Sequence, residues 1–264
     1  MSRIKGQGPC MKPTRRIPVG AAAGAATLAL LCGCSTGSAK SGATSAEAAS
    51  SASLPHLSRE ELAAALLTEA ELKGHAVSTL VLPADDIVEY SATPANCQPL
   101  LAATATQSTG IDAAVAQERI ELTPHSNDPV APVRHAITLS QLPSGQADKY
   151  MSSVRRSLDA CSSLSFDESW GEVKAVVTRV TAKEVGGEAI SFVITTKMDV
   201  DGTEHDAVFF PVTIVRSGTV IATFVSKASA TRETEFVAEA MAKQREPDDL
   251  VSEQMAKLNT AQRR

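Results

Sequence analysis

The 264-residue chain lacks every short signature that would name a reaction. It has no Gly-x-Ser-x-Gly elbow, no His-Glu-x-x-His, no phosphate-cradling P-loop and no dinucleotide-binding glycine fingerprint. A Cys-x-x-Cys pair is also missing, which argues against a thiol-exchange role. No apolar run competes well as a permanent membrane helix, which needs about 20 residues. No basic stripe is present, so nucleic acid is not an expected partner. There is no internal repeat. These absences exclude the commonest enzyme classes read from motifs, and the expectation is a non-enzymatic chain with no cofactor and no metal.

Acidic residues are absent ahead of Cys34, whereas Arg3, Lys5, Lys12, Arg15 and Arg16 all lie there. A basic segment followed by an apolar one, Ile17 to Leu31, has the parts of an export signal. The signal ends in Leu31-Cys32-Gly33-Cys34, which resembles the lipobox of bacterial lipoproteins. On that resemblance residues 1–33 are the signal peptide. Cys34 then becomes the first mature residue and carries acyl chains, palmitate among them, on the extracytoplasmic side of the cell membrane. Cys32 departs from the usual small residue of the motif but is of fitting size. A non-lipidated secretory signal is the alternative. Thr14-Arg15-Arg16 hints at twin-arginine export, but Pro18 stands where that motif wants Phe, so the Sec and Tat routes both stay open. The start is Met1 or Met11.

Residues 34–54 are almost wholly Ser, Ala, Gly and Thr, with Lys40 and Glu47 the only charges. Such a run cannot bury enough apolar surface to offset chain entropy and reads as a tether. A flexible coil of this length reaches about 25 Å. The whole chain has 25 basic and 30 acidic residues, five of the basic ones before Cys34, leaving 20 against 30 and a net charge of −10 after processing. A domain of that charge should not lie flat on anionic lipid. Residues 55–264 are enough for a single domain with one sizeable core.

Cys10 and Cys32 leave with the signal and Cys34 takes the lipid, so Cys97 and Cys161 remain. Outside the cytoplasm such a pair is most simply a disulfide. Free thiols or a redox pair are the alternatives.

Ser58 followed by Glu61 is a capping box opening a helix with Leu62, Leu66 and Leu67 as its stripe. Thr68 to Leu72 reads as a short second helical turn ending near Gly74, Pro94 to Cys97 as a turn and Gln98 to Ala105 as a helix. Alternation predicts strands at Ala113–Leu122 and Val133–Leu139, with turn chemistry between them. Met151, Val154, Leu158, Cys161 and Leu164 fall at helical spacing, predicting a helix over Asp148–Leu164. Four further strands are expected at Val173–Val180, Ala189–Thr196, Ala207–Val215 and Val220–Val225. Helices over Thr231–Lys243 and Asp248–Leu258 close the chain. Consecutive strands flanked by helices indicate an α+β fold, with an antiparallel sheet of about five or six strands, flanking helices and one disulfide.

Several motifs, in order, resemble a group of actinobacterial lipoproteins similar to the extracellular sensor domain of the mycobacterial receptor kinase PknH. They are Ala65 to Leu72, Pro94-Ala95-Asn96-Cys97-Gln98-Pro99-Leu100, Leu158-Asp159-Ala160-Cys161, Gly186-Gly187-Glu188-Ala189 and the hairpin Thr213 to Ala222 around Val215-Arg216-Ser217-Gly218. The match covers roughly residues 57–262. The second disulfide of the receptor kinase's sensor domain has no cysteines here, and no kinase domain or transmembrane helix is seen in this sequence. The resemblance implies a sheet flanked by helices with a ligand-binding cleft, and it supplies no catalytic residues.

The remaining polar features carry bland readings. The histidines, His56, His75, His125, His135 and His205, are scattered. Glu204-His205-Asp206 alternates across a strand and makes a poor metal site. Asp199-Val200-Asp201-Gly202 mimics the start of a calcium loop without its remaining ligands and reads as a hairpin turn. Trp170, the only Trp, lies beside Glu168 and Ser169 and is expected in core or rim packing. Arg155 and Arg156 fall off the helix stripe and are expected to be solvated. The function expected is a lipid-anchored binding or sensor domain for a small or lipidic ligand. A protein-interaction module in a cell-envelope complex is the alternative, and an envelope hydrolase with a non-obvious site is a third.

Overall fold

A computed structural model describes residues 56–72, 74–79, 90–104, 111, 113–124, 133–168, 171–182, 185–200, 203–229 and 248–264. The chain divides into two units, Met1–Ser50 and Ser51–Arg264, and every described residue belongs to the second. The signal, Cys34, the tether, Trp170, His125 and the expected helix over Thr231–Lys243 lie outside the described residues.

The second unit is built on one eight-stranded sheet. Its strands are β1 (His75–Thr79), β2 (Ala116–Pro124), β3 (Arg134–Gln141), β4 (Ser163–Glu168), β5 (Gly171–Val180), β6 (Glu188–Val200), β7 (Thr203–Ser217) and β8 (Val220–Ser229). Their spatial order is β1-β2-β3-β8-β7-β6-β5-β4, and each neighbouring pair is antiparallel. Two meanders, β1 to β3 and β4 to β8, therefore meet where β3 pairs with β8. Helix α3 (Gln146–Ala160) carries the chain from β3 in mid-sheet to β4 at the far edge. The α+β class is as expected, but the sheet has eight strands rather than five or six.

The two additional strands have identifiable causes. β1 is a short edge strand whose register to β2 runs from His75↔Pro124 to Thr79↔Ile120. β4 replaces the expected last turn of α3. The helix ends at Ala160, Cys161 turns extended at φ −119° and ψ 105°, and Ser163–Glu168 pairs with β5. Leu164 and Phe166 then enter the core at a period of two, not at helical spacing.

Side-chain alternation splits the core between the two faces. On one face α2 (Gln98–Thr104) and α3 cover Val173, Ala175, Phe192, Ile194, Val212 and Ile214. On the other α1 (Arg59–Ala65) and α4 (Asp248–Ala261) cover Leu122, Ile137, Leu139, Ala222 and Phe224. Helix α1 starts at the expected capping box, Ser58 accepting from Glu61 N and Glu61 accepting from Ser58 N. Thr68–Leu72 follows as a turn in which Glu71 N and Leu72 N donate to Thr68 O. Buried amides then dock α4. Gln254 accepts from Leu67 N and donates to Ala65 O, and Gln262 donates to Ser217 O. These bonds complete backbone groups left over at the end of α1 and in the β7–β8 turn, where burial without partners would cost about 1–3 kcal/mol each.

Candidate functional site

Cys97 and Cys161 form the expected disulfide, with Cα atoms 5.9 Å apart. Cys97 lies in a 3₁₀ turn over Ala95–Cys97 that leads into α2, and Cys161 follows α3. Ser157 adds a second tie by donating to Asn96 O at 2.7 Å. The two links tie the turn before α2 to the end of α3.

Beneath α2 and α3 the sheet changes character. Over β4 to β7 the covered face is filled by Phe, Ile and Val. Towards β2 and β3 the same face presents Thr223, Ala136, Thr138 and Ser140, then Gln117 and Arg119. Ala102 and Ala103 of α2 line the opposite side. A small recess of about 20 Å³ is left between sheet and helices, with Tyr150 of α3 on its rim. It narrows inside to water-sized space. Gln117 donates to Ser140 Oγ at 2.9 Å, which fixes one polar pair on its floor.

Arg119 is the unusual group there. Its Nε is buried and has no hydrogen-bond partner among the described residues. Burial pulls its pKa down to about 10, and the charge of Glu121 two residues along only partly offsets this. Glu121 lies 3.9 Å from Arg134. Burial also pushes the Tyr150 phenol up. Buried polar groups are nearly always satisfied, so the unpartnered Nε is an exception on this face of the sheet. Arg119 was not singled out by sequence, because in Glu118-Arg119-Ile120-Glu121 it reads as one more polar residue of an alternating strand.

A second and larger groove, of about 240 Å³, lies between α3 and the β5–β6 end of the sheet. Its cations are already matched: Arg179 to Asp159 at 2.6 Å, and Arg155 to Glu188. Arg155 is therefore paired rather than simply solvated, and Glu188 also meets Arg216, which reaches Asp148 at 3.1 Å. Arg156 is exposed, as expected.

The other sequence candidates do not converge. Glu204 and Asp206 pair with Lys174 and Lys197 respectively, while the side chain of His205 is outside the described ones. Asp201 and Gly202 are likewise outside, although Val200↔Thr203 pairing places the expected hairpin there. Among the described residues no three His, Cys, Asp or Glu side chains gather as for a metal. His135 does meet a serine, its Nδ1 lying 2.7 Å from Ser226 Oγ. Both are buried, at 7% and 1% exposure, on the face under α1 and α4, away from the recess. Burial first, then the neighbouring His75, lowers the imidazole to about 4. No described carboxylate orients the ring, so the pair lacks the arrangement that activates a serine nucleophile.

Among solved structures, one alignment covers 77% of this chain and 99% of the other, with a TM-score of 0.50 and 10% identity. The chain shares its fold with the extracellular domain of PknH from Mycobacterium tuberculosis. The likeness expected from the ordered motifs is thereby met at the level of the fold. An uncharacterized protein from Mycobacterium smegmatis, the Rv0999 ortholog, also aligns, at a TM-score of 0.37 and 11% identity over 71% of this chain and 90% of that one, too loosely to add to the comparison. No protein-family model matches the sequence. No curated protein matches it either. Among the described residues no helix is long and apolar enough to cross a membrane.

Proposed function

We propose that this protein is a lipid-anchored, extracytoplasmic binding or sensor domain, non-enzymatic. The observation that carries the reading is the fold shared with the extracellular domain of PknH. The fold shared with an extracellular domain, the lipobox-like Leu31 to Cys34 and the tether over residues 34–54 support the address. Residues 1–33 are the signal and residues 55–264 the binding domain.

Of the two ligand classes expected, the small polar one has the better support. A lipid carrier needs a wide apolar cavity, whereas the recess between the sheet and helices α2 and α3 is narrow and floored by hydroxyls, an amide and a guanidinium. Native mass spectrometry of the protein released from membranes in mild detergent tests the reading. A reproducible added mass of a few hundred daltons, lost on denaturation, is expected. A bare chain from native membranes and from cells grown under several conditions would overturn it.

A further inference from the structure

We infer that residues 231–243 form an amphipathic helix that docks on the sheet over Phe209 and Val133, on the face shared by α1 and α4. The patch is an interaction surface within the chain and is independent of the binding reading.

Alternation and register lay a row of residues across one end of that face. Val133 stands one residue ahead of the Arg134↔Lys227 pair, Phe209 pairs with Ala228, Thr195 with Phe209 and Val176 with Thr195. Burial along the row is graded. Val133 and Phe209 are 7% and 6% exposed, Thr195 is half-buried and Val176 is 39% exposed. His135 and Ser226, beside the row, are buried as well. Yet among the described residues Val133 and Phe209 belong to neither core cluster, and α1 and α4 pack over Leu122, Ile137, Leu139, Ala222 and Phe224 instead. A phenylalanine reaches such low exposure only when other side chains lie against it. The cover therefore spans β3, β8 and β7 and stops short of β5.

Connectivity points to the occupant. β8 ends at Ser229, opposite Val208 and one residue past the row, and the chain next enters α4 at Asp248, on the same face. Residues 230–247 thus leave from the edge of the patch and end at a helix that already packs on its face. Phe236, Val237, Ala240 and Met241 recur at i, i+1, i+4 and i+5, which is one apolar stripe of a helix. Arg232, Glu235, Glu239 and Lys243 fall on the other side, and Glu239 precedes Lys243 by four residues, the favourable order for a helical ion pair. Pro247 separates this segment from α4. A helix over 231–243 is about 20 Å long, enough to cross about four strands. A second copy of the chain is not needed as the cover, because Val133 and Phe209 are already buried within one chain.

The test compares the full-length wild type with Phe236→Ala, Met241→Asp and, on the opposite side of the stripe, Glu239→Gln, all in nonionic detergent. Hydrogen exchange and native mass are read on each. Wild type should be a monomer with protected amides in residues 231–243. Phe236→Ala and Met241→Asp should quicken exchange about tenfold there and in the Val133–Ile137 and Val208–Phe210 segments, and leave β5 unchanged. Glu239→Gln should leave all of them as in wild type. Phe209→Ala and Phe236→Ala should each lower Tm, and the double variant should lower it by clearly less than the sum, as expected of two side chains in contact. If Met241→Asp does not fold, Phe236→Ala and this cycle carry the comparison. Additive losses in the cycle, or exchange in Val133–Ile137 and Val208–Phe210 that ignores Phe236→Ala, would overturn the inference. So would a wild type that is dimeric and becomes monomeric on Phe209→Ser, since the patch would then belong to a second copy.

Discussion

His135 on β3 and Ser226 on β8 stand directly opposite one another in register and share a hydrogen bond of 2.7 Å. The ring is buried, so protonating it in the native state is disfavoured and its pKa drops from 6.5 to about 4. Between those values the unfolded chain binds a proton that the folded one does not. Stability is therefore full above about pH 6.5 and declines as pH falls towards 4, by about 3 kcal/mol in all. His135→Gln should flatten that part of the profile. Urea midpoints between pH 7.5 and pH 4.5 measure it, and an identical decline in the variant would show that other groups are responsible.

The Cys97–Cys161 bond closes a sequence separation of 64 residues and joins two buried positions. In the chain-entropy model a loop of this size stabilises by about 4 kcal/mol. The Cys97→Ala, Cys161→Ala double variant should lose a stability of that order in urea unfolding without reductant. A variant with an unchanged midpoint would contradict the stabilising role given to the bond.

Much of this architecture was legible in the chain. The capping box at Ser58, the β7–β8 hairpin and the cysteine pair are each local or compositional signals, and each was found where expected. β4 was hidden because Leu158, Cys161 and Leu164 continue the helical spacing of α3, and the competing two-residue period of Leu164 and Phe166 is only two positions long. Pairing with β5 decides the outcome, and no local propensity reports it. Arg119 was illegible for a deeper reason. Whether a strand arginine is solvated or stranded depends on which face α2 and α3 cover, and that is a property of the sheet order.

Gln254 is the main polar fastening between the two ends of the folded unit. It satisfies Leu67 N at 3.0 Å and Ala65 O at 2.7 Å, and Lys257 adds a bond to Leu66 O at 2.7 Å. Replacing Gln254 by Met keeps its bulk but strands two buried backbone groups, at a cost of about 2–4 kcal/mol. Because those groups belong to the α1–α4 contact alone, the damage should be local. Hydrogen exchange should quicken in Arg59–Leu67 and Asp248–Ala261 and stay unchanged in β5 and β6. Uniform loss of protection across the sheet would mean that α4 is integral to the global fold rather than latched onto it.

Cys34 carries the proposed address. One acyl chain gives only marginal membrane binding, and a lipoprotein anchor with two or more chains holds firmly, each buried methylene contributing about 0.8 kcal/mol. The processed chain has a net charge of −10 and gains nothing from anionic headgroups, so the lipid is the sole expected attachment. Wild type should accordingly stay with membranes through a high-salt wash and leave only in detergent. Its N-terminal peptide should begin at Cys34 with an added acyl mass. Cys34→Ala should leave the processing site uncut or release an unacylated chain, in either case without acyl mass. A wild-type protein recovered soluble, or with residue 34 unmodified, would replace the anchor with an ordinary secretory signal and leave the binding domain free outside the membrane.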